Sequence, residues 1–352
     1  MITCPAVPSQ PGDWRRQLAA AIRDPAELLG VLELDPGLLP AARRAAVRFP
    51  LLVPRAYAAR MRRGDPADPL LRQVLPLEAE LEDRAGYVSD PVGDLAAAVA
   101  PGVLSKYDGR VLLIASGTCA INCRYCFRRE YPYAEQRAAA DDWRTALAAI
   151  RRDPGCQEVI LSGGDPLILT ERRLAVLGEA LRTVEHVRRL RLHTRLPVVL
   201  PARIDDPLLA WLGGLHLPTV MVLHVNHPRE IDRPVRDALW RLRAAGVTLL
   251  NQSVLLRGVN DDRDTLCGLS EALFDAGVLP YYLHLLDPVR GTAHFDVPAN
   301  RAVELVEQAA ARLPGYLVPR LVRERPGAAA KLPVGGCADN VTPVAEGLAV
   351  PL

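Results

Sequence analysis

The stretch VLLIASGTCAINCRYC, residues 111–126, joins a short apolar run to three closely spaced cysteines. The run VLLIAS at 111–116 has the length and aliphatic content of a buried strand. Cys119, Cys123 and Cys126 follow it, with three and then two residues between them. The stretch therefore predicts a strand whose carboxyl end brings three thiols together.

A short apolar run followed by an amphipathic helix recurs along the chain after residue 110. Six such units predict an α/β fold with a parallel sheet, and favour a TIM-type partial barrel of the (β/α)6 kind. A doubly wound open sheet is the alternative. The predicted strands are 111–116, 158–163, 188–194, 219–225, 247–256 and 279–286, and the helices after them lie near 141–152, 171–184, 205–213, 233–245, 262–276 and 299–312.

The first part of the chain has a different pattern, which predicts a mostly helical region over residues 1–104. DWRRQLAAAI (13–22) and PAELLGVLEL (25–34) have helical periodicity, and frequent prolines predict short helices joined by turns. We expect the barrel core over 105–328 and a C-terminal segment over 329–352.

Each predicted barrel strand ends in a cluster of polar residues. The catalytic groups of parallel barrels lie at the carboxyl ends of the strands, because the loops that follow the strands meet there. The sequence therefore predicts one shared site. After the cysteines the clusters are SGGDP (162–166), HTRLP (193–197), HVNHP (224–228), NQS (251–253) and HLLDPVRG (284–291).

Composition limits the classes of function. A net charge of +2, with 49% hydrophobic and 24% charged residues, is ordinary for a globular protein and points to no nucleic-acid or membrane partner. We expect no signal peptide and no membrane span. The seven cysteines have no disulfide-framework spacing, so we expect a reducing, cytoplasmic setting.

Three neighbouring thiols allow several interpretations. Structural zinc prefers four ligands, so it would need a distant Cys or His. A redox-active pair of the C-x2-C kind would leave Cys119 without a role. A four-iron cluster held by three thiolates keeps one iron open, and an open position on a catalytic metal binds a substrate or cofactor.

The C-x3-C-x2-C motif after the first barrel strand resembles the cluster motif of the radical S-adenosylmethionine enzymes. Further motifs together resemble the lysine 2,3-aminomutase subfamily, and within it the EpmB branch, which serves translation elongation factor P. The resemblance covers nearly the whole chain, which ends at Leu352 without the extension of the free-lysine mutases. These motifs are CRYCFRR, KYDGRVLL, LSGGDP, NQSVLLRGVND and RERPGAAAKLP.

The resemblance implies a 4Fe–4S cluster on the three cysteines, with S-adenosylmethionine bound to its open iron. Paired glycines allow a backbone to approach a ligand closely, although GGDP alone is more often an ordinary turn. By resemblance, the S-adenosylmethionine site is formed by Gly163, Gly164, Asp165, His224 and Gln252.

Lys106 and Lys331 are the two lysines of the chain. The resemblance implies pyridoxal 5′-phosphate as a further cofactor, bound covalently by Lys331 as the catalytic lysine. Lys106 and Arg110 would bind the phosphate group of this cofactor. For any one lysine, a solvated surface position is the ordinary alternative.

The resemblance also assigns the substrate contacts. Arg128 would bind the α-carboxylate of L-lysine, and Asp287 and Glu324 would bind its side-chain ammonium. Glu324 replaces the aspartate of the free-lysine mutases, which keeps the charge and adds one methylene.

By resemblance the protein is an isomerase that converts L-α-lysine to (R)-β-lysine, which a ligase attaches to elongation factor P. The implied partners are that β-lysine ligase, elongation factor P, an electron donor such as flavodoxin, and a second copy in a homo-oligomer. The alternatives are a mutase producing free β-lysine, a mutase of another amino acid, and a non-enzymatic iron–sulfur or zinc protein.

Overall fold

The computed structural model describes residues 13–141 and 143–335. Cys4 and Cys337 lie outside the described residues, and so do residues 336–352 of the predicted C-terminal segment. None of the described helices combines the length and the apolar character that crossing a membrane requires.

Short helices make up the first part of the described chain, as its prolines predict. Asp24 and Asp68 cap two of these helices by accepting hydrogen bonds from backbone amides in the first turn. A proline occupies the first position of each, where a backbone N–H is not needed. The elements are α1 (Asp13–Ala19), α2 (Pro25–Val31), α3 (Leu39–Arg48), α4 (Arg55–Ala58) and α5 (Pro69–Arg72), with 3-10 helices at Pro36–Leu38 and Glu78–Leu81.

The described strands form one ten-stranded sheet in which spatial order follows chain order. Strands three to nine are parallel to their neighbours, whereas the first two and the last pair antiparallel. The strands are β1 (Ala98–Ala100), β2 (Val103–Tyr107), β3 (Arg110–Ser116), β4 (Glu158–Gly163), β5 (Arg189–Thr194), β6 (Thr219–Leu223), β7 (Thr248–Val254), β8 (Leu279–His284), β9 (Arg320–Arg323) and β10 (Leu332–Pro333).

The helices after the barrel strands confirm the six predicted strand–helix units. A doubly wound sheet would reverse its strand order at a switch point, and this order never reverses. The fold is therefore an open, partial barrel. Its helices are α6 (Arg144–Arg152), α7 (Glu171–Leu181), α8 (Leu196–Val199), α9 (Asp206–Gly213), α10 (Arg233–Ala244), α11 (Arg263–Asp275) and α12 (Ala299–Ala310), with 3-10 helices at Pro166–Ile168, Pro201–Arg203, Pro228–Glu230, Ala293–Phe295 and Gly315–Leu317.

The N-terminal helices share one apolar core with the barrel. Trp14 and Tyr57 belong to the same buried cluster as Leu161 of β4 and Leu174 of α7. Burial of each such side chain contributes about 1.5–3 kcal/mol. The predicted boundary at residue 104 falls inside β2, because β1 and β2 extend the barrel sheet as an antiparallel edge.

Candidate active site

One cavity of about 430 Å³ lies among the carboxyl ends of the barrel strands. All six polar clusters contribute to its wall, as their positions at the strand ends predict, and their role as one functional site stays a prediction. The residues predicted for the site all line this cavity: Cys119, Cys123, Cys126, Gly163, Gly164, Asp165, His224, Gln252, Lys106, Arg110, Arg128, Asp287, Glu324 and Lys331.

The glycine pair after β4 permits a close approach of two chain segments. Gly163 has a φ of +114°, and a Cβ there would lie 2.6 Å from the Ser116 carbonyl oxygen. A Cβ on Gly164 would lie 2.3 Å from the Thr118 carbonyl oxygen. The Gly164 and Asp165 amides donate to these two carbonyls at 2.7 and 2.8 Å. Both glycines therefore position residues 116–118, which lead into the three cysteines, and a cofactor contact there stays a prediction.

The N-terminal region binds the cysteine loop (residues 119–126) from the other side. The Asn122 amide donates to the Leu52 carbonyl at 3.0 Å, and the Arg124 amide donates to the Gln73 carbonyl at 2.8 Å. Arg124 Nε also donates to Glu80 Oε1 at 2.8 Å, and both side chains are buried. The loop is thus fixed between the barrel and the N-terminal helices.

The cysteine loop presents a donor set that fits an iron–sulfur cluster. Burial, with the thiols nearby, raises the pKa of Cys119 and raises that of Cys126 to about 11. Metal binding would therefore release protons from these thiols. Thiolates are the ligands that iron–sulfur clusters prefer, and three of them leave one iron open. In residues 13–141 and 143–335, no three His, Cys, Asp or Glu side chains are arranged for a single metal ion.

Asp165 connects the ends of two neighbouring strands. Its Oδ1 accepts hydrogen bonds from Thr194 Oγ1 at 2.7 Å and from the Leu167 amide at 3.0 Å, and its Oδ2 accepts from the Arg195 amide at 2.8 Å. Burial raises the pKa of Asp165 to about 6, although these hydrogen bonds oppose the rise. The carboxylate is therefore occupied by protein donors at the cavity wall.

Neutral imidazoles line the cavity at the carboxyl ends of β5, β6 and β8. Burial lowers the pKa of His224 and of His284 to about 3. Gln252 Nε2 lies 3.2 Å from His224 Nε2. The Nε2 atoms of His193 and His284 are buried and have no hydrogen-bond partner among the described residues. These atoms can bind a polar ligand without adding charge to the site.

Glu324 joins the two lysines of the chain. Its Oε1 accepts a hydrogen bond from Lys106 Nζ at 2.9 Å, and its Oε2 pairs with Lys331 Nζ. Burial alone would raise the pKa of Glu324, but the Lys331 and Lys106 ammonium groups lower it to about 2. Leu332 pairs with Arg323 across the β9–β10 hairpin, which brings Lys331 opposite Glu324.

The second predicted carboxyl group, Asp287, has the opposite electrostatic setting. Burial, and then the Glu324 charge, raise the pKa of Asp287 to about 7. The two carboxyl groups predicted to bind the substrate ammonium therefore differ: Glu324 stays ionised, whereas Asp287 titrates near neutral pH. Carboxyl groups whose pKa values are pushed apart in this way can take separate roles in one reaction.

Arg128 is held by Asp94, a residue that the sequence analysis did not single out. Arg128 Nε donates to Asp94 Oδ2 at 2.5 Å, and Arg128 Nη1 donates to Ser162 Oγ at 3.1 Å. Lys106 Nζ lies 2.6 Å from the other Asp94 oxygen. Asp94 lies in DPVGDLAAAVA, which has no clear periodicity. The sequence therefore gives no signal that Asp94 belongs to the site, and only its contacts with distant residues show it.

The fold and the three thiols at its strand ends define a radical S-adenosylmethionine enzyme. The family model described as the Radical SAM superfamily matches residues 113–267. This family implies a 4Fe–4S cluster and S-adenosylmethionine, and the three thiols fit the cluster.

Three relatives narrow the assignment, and each is named L-lysine 2,3-aminomutase. That of Escherichia coli (strain K12) is 47% identical over 92% of this chain and 94% of its own. That of Haemophilus influenzae is 44% identical over 90% and 93%. That of Clostridium subterminale is 33% identical over 92% and 77%. The chain belongs to the L-lysine 2,3-aminomutase family, and it is an isomerase.

Proposed function

We propose that the protein uses pyridoxal phosphate to move the α-amino group of L-lysine to the β-carbon. One observation supports this most strongly: a single cavity is lined by three thiols, by Lys331, and by the carboxyl groups of Asp287 and Glu324. The thiols would hold the cluster that initiates the radical, and Lys331 would bind the cofactor that carries the amine. The carboxyl groups would bind the cationic side chain of the substrate. A redox sensor or structural zinc protein needs only the thiols.

The chain's own residues would hold the cofactors in separate parts of the cavity. Cys119, Cys123 and Cys126 would bind the cluster, and Lys331 would bind pyridoxal phosphate covalently. When bound, these cofactors supply a carbon radical and a π-system through which nitrogen can migrate. The remaining assigned residues are Lys106 and Arg110 for the phosphate, and Gly163, Gly164, Asp165, His224 and Gln252 for S-adenosylmethionine.

Lys331 must lose a proton before its nitrogen can act as a nucleophile. Glu324 is a poor acceptor for this proton, since its pKa is lowered to about 2. The Asp287 carboxyl group, with a pKa of about 7, is suited to hold or release a proton near neutral pH. Glu324 instead orients the Lys331 side chain by pairing with its Nζ.

The charged groups of the cavity suit an amino acid with an α-carboxylate at one end and a side-chain ammonium group at the other. Among the described residues, Arg128 uses Nε and Nη1 for Asp94 and Ser162, and its Nη2 donates no hydrogen bond. That nitrogen is available to the substrate α-carboxylate. Glu324 and Asp287 would bind the distant ammonium group. The buried walls of the cavity would limit the access of water to a radical.

We further propose that the product is (R)-β-lysine, made in the cytoplasm for a ligase that modifies elongation factor P. The motif set that resembles the EpmB branch supports this. A flavodoxin-type donor would supply the electron. A mutase acting on another amino acid remains the second candidate, because Glu324 lengthens one acidic contact by a methylene.

The test is anaerobic turnover. Protein reconstituted with iron, sulfide and pyridoxal phosphate should convert L-lysine to β-lysine when S-adenosylmethionine and dithionite are added, with the product's hand read by chiral chromatography. Lys331→Ala should lose the visible absorbance of covalently bound pyridoxal and all turnover, but keep its cluster.

Three results would count against the proposal. S-adenosylmethionine cleavage without β-lysine would move the substrate to another amino acid. The opposite hand of the product would contradict the elongation factor role. If the protein holds an intact cluster but does not cleave S-adenosylmethionine, the cavity is not the active site of a radical enzyme.

A further inference from the structure

We propose that Arg195 is a positioning residue that raises the reduction potential of the cluster through its contact with Cys123. This inference rests on the proposed binding of a cluster to the three cysteines. Arg195 Nη1 donates to Cys123 Sγ at 2.7 Å, and the Arg195 side chain lines the same cavity.

The guanidinium group of Arg195 is fixed by three acceptors on its other terminal nitrogen. Arg195 Nη2 donates to Gln73 Oε1 at 2.7 Å, to Glu230 Oε2 at 2.8 Å and to the Tyr57 hydroxyl at 3.2 Å. Tyr57, Gln73 and Glu230 are fully buried. Because Nη2 is held in this way, the planar guanidinium must direct Nη1 at the thiol.

The backbone of Arg195 is fixed as firmly as its side chain. Its amide donates to Asp165 Oδ2 at 2.8 Å, and its guanidinium lies over the rings of Tyr57 and Tyr125. Two of the residues that hold it, Tyr57 and Gln73, come from the N-terminal helical region. This gives that region a part in the chemistry of the site, in addition to its hold on the cysteine loop.

A cation beside a cluster ligand favours the reduced cluster. Reduction adds one electron and no proton, so the cluster becomes more negative by one charge. Hydrogen bonds to the ligand sulfurs and net local charge are two of the factors that set the potential of such clusters. Glu230 acts in the opposite direction, because its carboxylate partly cancels the Arg195 charge.

This geometry makes the effects of two substitutions opposite in sign. Arg195→Met removes the cation and should lower the midpoint potential. We expect the equilibrium constant for reduction to fall about tenfold, which corresponds to about 59 mV for a one-electron step. Glu230→Gln keeps the shape and removes the opposing charge, so the potential should rise. Loss of structure alone would not move the potential in opposite directions.

The matched control is Arg60→Met. Arg60 lies over the same Tyr57 ring and is equally enclosed, but within residues 13–141 and 143–335 it donates to the carbonyls of Glu230 and Val198 and to no cysteine. Arg60→Met should shift the potential much less than Arg195→Met, because it removes a charge without removing a hydrogen bond to a cluster ligand. Arg195→Lys, which keeps the charge and loses the planar fork, should fall between wild type and Arg195→Met.

The measurement is a redox titration of the reconstituted protein with dithionite, followed by electron paramagnetic resonance, with iron and sulfide content determined for each variant. Arg195→Met and Glu230→Gln shifts of the same sign, or no shifts, would overturn the inference. If Arg195→Met does not retain a cluster, Glu230→Gln and Arg195→Lys decide the same question. Wild-type protein that holds no cluster would instead refute the proposed function.

Discussion

Glu80 offers the sharpest test of how the cysteine loop is held. Its carboxylate accepts hydrogen bonds from Arg124 Nε and Arg129 Nη2, each at 2.8 Å, and from the Leu77 amide at 3.0 Å. Glu80 is 2% exposed and Arg124 is 0% exposed. Glu80→Gln would leave two enclosed guanidinium groups without their counter-charge.

The expected cost follows from burial. Breaking a buried ion pair by removing one partner costs about 3–5 kcal/mol, because the remaining charge is left uncompensated. We place Glu80→Gln at the lower end, about 3 kcal/mol, since the amide oxygen can still accept one of the hydrogen bonds. Because each 1.4 kcal/mol is tenfold, the folding equilibrium would fall roughly 100-fold.

Glu78 provides a control within the same 3-10 helix. It pairs with Arg44, and both side chains are more than half exposed. Exposed ion pairs contribute only about 0–1 kcal/mol, so Glu78→Gln should be nearly neutral. Both variants would be compared with wild type by urea unfolding followed by circular dichroism, and by iron retention after reconstitution.

A difference between the two variants of less than about 1 kcal/mol would refute the account, because a buried pair and an exposed pair would then be equivalent. Iron retention adds a second criterion. Glu80→Gln should lose iron more readily than Glu78→Gln, because Arg124 lies inside the cysteine loop.

Three further outcomes are expected. L-Lysine affinity, measured by calorimetry, should rise as pH increases through about 7, because Asp287 gains its charge there. Asp287→Asn should flatten this pH profile, and a variant with the wild-type profile would contradict the pKa assigned to Asp287. Gly164→Ala should reduce iron retention, since its Cβ would lie 2.3 Å from a carbonyl oxygen, whereas Gly213→Ala, with open space around it, should not; equal retention would show that the close approach is unimportant. Asp94→Asn removes the partner of buried Arg128, and should destabilise the protein by about 3 kcal/mol and raise the KM for lysine; wild-type stability would mean that Arg128 finds another partner.

Local sequence patterns were sufficient to predict the parallel strands of the barrel but not the short strands at the edges of its sheet. The strands β3 to β8 lie within a few residues of their predicted positions, because each is a compact apolar run. β1 and β10 were not predicted, since three- and two-residue strands form only when a neighbouring strand is already in place. Their existence depends on pairing, which a local pattern does not contain.

The same distinction applies to the candidate site. Residues at strand ends could be gathered in advance, because the barrel geometry places all such positions at one edge. Asp94, Glu80 and Gln73 could not, since each acts through a partner far along the chain. Their contacts with Arg128, Arg124 and Arg195 become visible only when the chain is folded.

The Lys106–Glu324 contact has a consequence for the time at which the site can assemble. It joins residues 218 positions apart, and Lys331, which also pairs with Glu324, follows it in the same β9–β10 hairpin. During synthesis on the ribosome, the cysteine loop can fold against the N-terminal helices long before this hairpin emerges. A nascent chain can therefore hold the thiols in place while Lys331 is still missing. If Lys331 binds pyridoxal as proposed, only a chain translated through Lys331 could retain it, and cofactor capture would report that synthesis has passed that residue.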